Sequence, residues 1–161
     1  MLGDSNSQLM PAQPQKRTVV LASGVFDLLH LGHVKFLEEA KRAGGKGAQL
    51  IVIIARDSTV EKTKGRKPIM PETQRRALVE SLKVVDEAVL GLESFDIGDV
   101  IETVKPDVIA LGYDQADMEQ LVKEYVDQHK LDVKVVRVGK FEADEMDSSS
   151  KIRQKIVEKF A

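Results

Sequence analysis

Cysteine is absent from all 161 residues. The chain therefore has no disulfide, no thiolate nucleophile and no thiolate metal ligand. Any metal must take His, Asp, Glu or a ligand's own oxygens. Cysteine-free composition fits a reducing compartment, and we expect a cytoplasmic protein. No single charge sign dominates either: 24 Lys and Arg face 26 Asp and Glu, a net charge of −2. That balance argues against bulk nucleic-acid binding and against a basic membrane-binding surface. No apolar run approaches the ~20 residues that span a bilayer. The longest, "LIVIIA" at 50–55, has the length of a buried strand. The first seventeen residues contain no apolar segment of the kind found in secretory leaders. Aromatic residues are scarce at 4%, and there are only three histidines.

What is present is an ordinary globular balance, 42% hydrophobic and 31% charged, with length for one core. Residues 1–17 are polar and aperiodic, and read as a disordered extension before a single domain over 18–161. Beyond them, short β-branched runs recur at 18–23, 50–55, 87–90, 107–111 and 133–138. Helical spacing fills the gaps: Val34, Leu37 and Ala40; Leu78, Val79 and Leu82; Val100, Ile101 and Val104; Leu121, Val122, Tyr125 and Val126; and Ile152, Ile156 and Val157. Pro71-Glu72 opens one helix, Pro106 stops another, and 148–150 can cap the last. Continuously apolar strands alternating with helices predict a parallel sheet covered on both faces. With right-handed crossovers the fold is α/β, a five-stranded, doubly wound, Rossmann-like sandwich. Ligands in such folds bind beyond the C-terminal ends of the strands. That directs attention to 23–33, 55–67, 91–93, 112–115 and the turn before Ser148.

Two of the three histidines fall in the first of these places. "ASGVFDLLHLGHVKFLEEAK" puts His30 and His33 where the first strand gives way to a helix. Gly24 and Gly32 would let the backbone approach a ligand closely. The helix start offers free N–H groups and a dipole that favours an anion. Imidazole donates to phosphate oxygen and can gain charge as negative charge builds. The pair can therefore grip a phosphate whose charge grows in a transition state. Plainer readings are a turn cap at His30 with a packed His33, or a pair of metal ligands. The coincidence of glycines, strand-to-helix joint and histidine pair favours phosphate.

"GVFDLLHLGH" also resembles the signature of the HxGH nucleotidyltransferases, in their cytidylyltransferase-like branch. These join a nucleoside triphosphate to a phosphorylated acceptor and release pyrophosphate. The resemblance runs from Arg17 to the C-terminus. It includes "GRKPIMPETQRR", "VKPDVIALGYDQ" and "SSSKIRQKI", and is greatest to the archaeal FAD synthases. It implies transfer of AMP from ATP to FMN, with Mg²⁺ as the accompanying divalent metal and a homodimeric assembly. The near alternative is a cytidylyltransferase making a CDP-alcohol from CTP and a small phosphorylated alcohol such as glycerol 3-phosphate. A third reading, of another class, is a non-catalytic nucleotide-sensing module.

The resemblance also assigns roles. Val25 and Phe26 would lie against the nucleotide. His30 and His33 would hold the triphosphate, with Leu31 and Gly32 between them. Asp27 matches the motif's acid, or is a turn carboxylate that orders the loop. A lysine from the basic loop at 61–68 would reach the phosphates, Lys64 first, with Lys67 and Arg66 behind it. His30, His33 and Lys64 are thus the catalytic candidates. Asp114 and Gln115 can hydrogen-bond a base or ribose, and Asp114 can cap a helix at the same time. Ser149, among the closing serines, would face nucleotide or phosphate. The related glycerol-phosphate cytidylyltransferases carry an arginine shortly before that segment. This chain has the acidic "FEADEMD" instead, which weighs against the cytidylyl reading. Phe26, Tyr113, Tyr125 and Phe141 are the aromatic candidates for stacking on a flavin. His129, at a helix end, is given no function.

Overall fold

The computed structural model describes residues 14–94, 96–142 and 146–161. Most of the extension expected at 1–17, and the centre of the acidic stretch at 141–147, lie outside the described residues. Five strands form one all-parallel sheet: β1 (Val19–Gly24), β2 (Gln49–Ile54), β3 (Glu87–Leu90), β4 (Val108–Leu111) and β5 (Lys134–Arg137). Six helices alternate with them: α1 (Leu31–Ala43), α2 (Asp57–Lys64), α3 (Glu72–Glu80), α4 (Ile97–Val104), α5 (Ala116–Gln128) and α6 (Ser149–Phe160). The strand order is β3-β2-β1-β4-β5, so the winding reverses between β1 and β4. This is the doubly wound sheet the pattern predicts. No helix among the described residues is long and apolar enough to cross a membrane.

Strand alternation builds two cores. Val20 and Ala22 of β1, Val52 and Ile54 of β2, and Val108 and Ala110 of β4 face Leu37 and Ala40 of α1 and Val79 of α3. Leu21 of β1 and Ile109 and Leu111 of β4 face Val100 and Ile101 of α4 and Val122 and Val126 of α5. Because both faces are covered, the central strands carry almost no polar side chain. All four residues of β4 are buried.

Three expectations are corrected. The basic stretch is not all loop: Lys62 and Lys64 sit in the last turn of α2, and only Arg66 and Lys67 follow it. α2 buries a single apolar residue, Val60, so it has no stripe for periodicity to detect. Gly65, at φ +68°, ends it by donating its N–H to the Glu61 carbonyl at 2.9 Å. In α3 the core-facing residues are Arg75 and Val79, whereas Leu78 is exposed and Leu82 lies beyond the helix. In α6 no residue is buried, and Ile156 and Val157 face outward in the single chain.

Candidate functional site

The β1–α1 connection is a tight turn with unusual backbone. Phe26 (φ +54°) and Leu28 (φ +48°) both occupy the left-handed region, which bulky residues adopt only when their surroundings impose it. The surroundings are visible. Asp27, between them, is buried, and its carboxylate accepts from Ile69 N (2.8 Å) and Met70 N (2.9 Å). Arg153 of α6 lies 3.7 Å from the same carboxylate. The Ser149 hydroxyl donates to the Asp27 carbonyl. The Val25 carbonyl accepts from Arg75 Nη1 at 2.7 Å. Segments some 40, 50 and 120 residues away thus hold this one turn. Of the two roles open to Asp27, the geometry displays the turn-ordering one.

The turn delivers His30 and His33 to the first turn of α1. Their rings stack at 3.7 Å between centroids, 26° from parallel. His30 N donates to His33 Nδ1 at 3.3 Å. An accepting Nδ1 places the neutral ring's proton on Nε2, which stays a donor. Burial, and next the neighbouring His30, push the His33 imidazole down to about 3, against the pull of Asp27. Burial also lowers His30, partly offset by Asp147. Both are neutral in the free protein at neutral pH. His30 Nδ1 is buried with no hydrogen-bond partner among the described residues, and such an atom costs free energy until something meets it.

The glycines act differently from expectation. A Cβ on Gly24 would strike the Phe26 ring at 2.8 Å, so that ring, not a ligand, fills the space. Phe26 is itself buried, tilted against His33 at 5.3 Å and stacked on Phe36 at 6.4 Å. Its ring belongs to the core, and what it can present to a nucleotide is backbone. A Cβ on Gly32 would strike the Asp147 carbonyl and the His30 ring, both at 2.9 Å. Gly32 therefore lets the start of α6 close on the start of α1. Leu31, beside it, is 53% exposed.

The three closing serines have three separate tasks. Ser148 caps α6, its oxygen accepting from Lys151 N at 3.2 Å. Ser149 holds the turn, and Ser150 accepts from Arg153 Nη2 at 3.0 Å. Beside them Lys151 pairs with Asp147 at 2.7 Å. Beyond β4, Gln115 rather than Asp114 sits at the N-cap of α5, and its Oε1 accepts from Gly112 N at 2.7 Å. Asp114 is exposed and free of that duty. β1 and β4 flank the reversal of winding, so the histidine turn and residues 112–115 border the same crevice.

Of the aromatic candidates, Tyr113 is 48% exposed after β4 with Lys140 Nζ 5.7 Å from its ring centre, and Phe141 is 36% exposed. Tyr125 stacks on His129 near the C-terminal end of α5 instead, and the His129 ring meets the Tyr125 carbonyl. Lys64 is exposed and makes no hydrogen bond or ion pair with the histidine turn among the described residues. No group of three or more metal-ligating side chains occurs among the described residues.

Sequence reasoning missed the residues that tie this edge together. Asp57 and Glu72, first in α2 and α3, cap each other: Asp57 N donates to Glu72 (2.7 Å) and Glu72 N to Asp57 (3.3 Å). Arg56 Nε donates to the Gly91 carbonyl at 2.6 Å, and its Nη1 to Glu72 at 3.2 Å. Arg75 is fully buried at their centre. The one available signal was its place four residues before Val79, on the core face of α3.

Comparisons with known proteins match most of the chain. The model of the family described as cytidylyltransferase-like matches residues 21–155. A protein of Ferroglobus placidus named FAD synthase is 51% identical over 86% of this chain and 87% of its own length. Its namesake in Methanopyrus kandleri is 47% identical over 86% and 91%. Among solved structures, a Thermoplasma volcanium protein titled lipopolysaccharide core biosynthesis protein superposes with a TM-score of 0.71 at 43% identity. It covers 79% of this chain and is itself covered completely.

Proposed function

The chain belongs to the cytidylyltransferase-like family, and we propose that within it the chain is a nucleotidyltransferase that moves AMP from ATP to FMN, giving FAD and pyrophosphate. The FAD synthase names of relatives 44–51% identical support the substrates. The observation that carries the chemistry is the stacked, neutral histidine pair at the start of α1, held by a strained turn.

An oxygen of the FMN phosphate attacks the α-phosphorus of ATP in line. A new P–O bond forms as the bond to the β-phosphate oxygen breaks, and pyrophosphate leaves on the opposite side. A phosphate monoester is largely ionised at neutral pH, so the nucleophile needs no base. The protein's task is to position substrates and offset charge on the α- and β-phosphate oxygens. His33 Nε2–H and the His30 ring serve as neutral donors beside the α1 N-terminus, and Leu31 and Gly32 bring that terminus close. As charge builds on the leaving phosphate, it opposes the burial that keeps His33 neutral, so the donor strengthens when it is needed. Lys64, with Lys67 and Arg66, answers the phosphates from the β2 side. Asp114 receives ribose or base, and Val25 and Phe26 offer backbone. Ser149 acts through the turn it holds.

Mg²⁺ would accompany the nucleotide in this reading and would offset charge on its phosphates, since no group of three or more metal-ligating side chains occurs among the described residues. We also read the chain as a cytoplasmic homodimer that binds ATP and FMN as substrates. The outward apolar face of α6, with Ile156, Val157 and Phe160, supports self-association, which light scattering would measure. The activity is tested by pairing ATP or CTP with FMN or glycerol 3-phosphate and separating the products. FAD from ATP plus FMN alone is expected. A product only with CTP would move the chain to the cytidylyl reaction.

A further inference from the structure

Arg75 has the largest fully buried side chain among the described residues. A guanidinium in a hydrophobic core must have its donors met and its charge balanced. Here Nε donates to the Met70 carbonyl (2.9 Å), Nη1 to the Val25 carbonyl (2.7 Å) and Nη2 to Asp57 (2.6 Å). These three partners belong to three separate segments. Val25 opens the strained turn that carries the histidines. Met70 belongs to the stretch whose N–H groups hold Asp27 in that same turn. Asp57 begins α2, the helix that ends in Lys62 and Lys64.

We propose that Arg75 is a positioning residue for nucleotidyl transfer: its planar fork sets the histidine turn, the 69–70 backbone and the start of α2 at fixed spacing without touching substrate. The proposal rests on the function given above.

Stability alone is a poor reason for such a group. Buried ion pairs contribute little net stability, and an apolar side chain could fill the same slot. What an apolar side chain cannot do is hold two carbonyls and a carboxylate of separate segments in one plane. The strained backbone at Phe26 and Leu28 needs such outside restraint. A lysine would keep the charge and most of the volume, yet it presents one point of donation instead of a fork.

The test uses Arg75→Lys, with Val79→Ala as the control. Val79 is equally buried and on the same helix but belongs to the core alone. FAD formation, thermal stability and the imidazole resonances of the histidines are measured for each. For R75K we expect kcat to fall about 100-fold while the KM for ATP and for FMN stays near the parent value. That is the loss an ångström of misplacement brings. V79A should lose stability and keep its kcat. If R75K keeps the parent kcat, or V79A loses as much kcat at matched stability, the proposal is wrong. Should R75K not fold, Asp57→Asn is measured in its place against the same criteria.

The resonances decide independently of turnover. Loosening the turn admits water and should raise the pH at which His33 titrates, and an unchanged titration overturns the proposal. If the parent protein makes no FAD, the functional reading fails and the titration alone judges Arg75.

Discussion

At the edge where the strands begin, Asp86 stands one residue before β3. It accepts the Leu50 N–H at 2.7 Å and returns its own N–H to the Leu50 carbonyl at 3.0 Å. Asp107, one residue before β4, repeats the exchange with Val19 at 2.8 and 2.9 Å. A lysine completes each pair, Lys41 at 2.7 Å and Lys16 at 3.5 Å. At the edge where the strands end, the backbone runs through two bulky left-handed residues, and an arginine is fully buried. A histidine nitrogen there lacks a partner among the described residues, and another imidazole is held far from its ordinary titration. Both edges use carboxylates to accept backbone N–H groups. One closes its polar groups among neighbours, while the other leaves donors and a strained turn facing a crevice. On the proposed function, the difference separates groups kept for stability from groups kept for a ligand.

Removing the imidazoles should break that contrast most severely. His30→Ala and His33→Ala should each lower kcat about 100- to 1,000-fold, the loss seen when one preorganised donor to a developing oxyanion is deleted. Binding of ATP, followed by calorimetry, should survive in both. Loss of binding with intact turnover of whatever binds would assign the pair to ground-state affinity instead. If a parent that binds ATP shows no turnover at all, the nucleotide-sensing reading gains.

A smaller effect is expected at Gly32. Gly32→Ala places a methyl 2.9 Å from the Asp147 carbonyl and from the His30 ring. Something must give by a few tenths of an ångström. We expect kcat to fall roughly 10-fold from the displaced ring, with about 1–3 kcal/mol of stability lost to overpacking. A wild-type rate in G32A would show that the contact between α1 and α6 does not set the histidine geometry.

Much of this was legible beforehand. The β-branched runs located all five strands to within two residues at either end, because a parallel sheet covered on both faces admits little but apolar side chains. The histidine pair announced itself by its place between a strand and a helix. What stayed hidden depends on distance along the chain. Asp27 meets Ile69 and Met70, and Val25 meets Arg75, across separations that no local pattern encodes. α2 was missed because a helix with one buried residue has no periodicity. Gly24 was read as room for a ligand because a sequence does not say which side chain will turn back to fill it.

Acidification separates the two edges by pH window. The imidazoles titrate normally near 6.5 when unfolded, but His33 only at about 3 when folded. The unfolded chain therefore binds more protons between those limits, and stability must fall as pH drops through that window. The slope is at most about 1.4 kcal/mol per pH unit for each such imidazole. The difference in stability between the parent and His33→Gln should thus shrink from pH 6.5 downward. A flat difference would mean that the ring is hydrated and ordinary.

The smallest effect belongs to the opposite edge. Burial works against the charge of Asp86, but the Lys41 hydrogen bond, the Leu50 N–H and the charges of Lys41 and Arg17 outweigh it and hold the carboxyl below its ordinary range. A depressed carboxylate contributes stability that is fully present above the unfolded pKa, near 4, and is lost as pH falls through the lower folded value. Asp86→Asn should cost about 1 kcal/mol at neutral pH. The cost should be constant down to about pH 5 and disappear only below 4. FAD formation should be unchanged, because nothing at the start of the strands reaches the crevice at their ends. A D86N protein with parental stability but impaired turnover would erase the distinction between the edges and imply that sheet register is transmitted to the histidine turn.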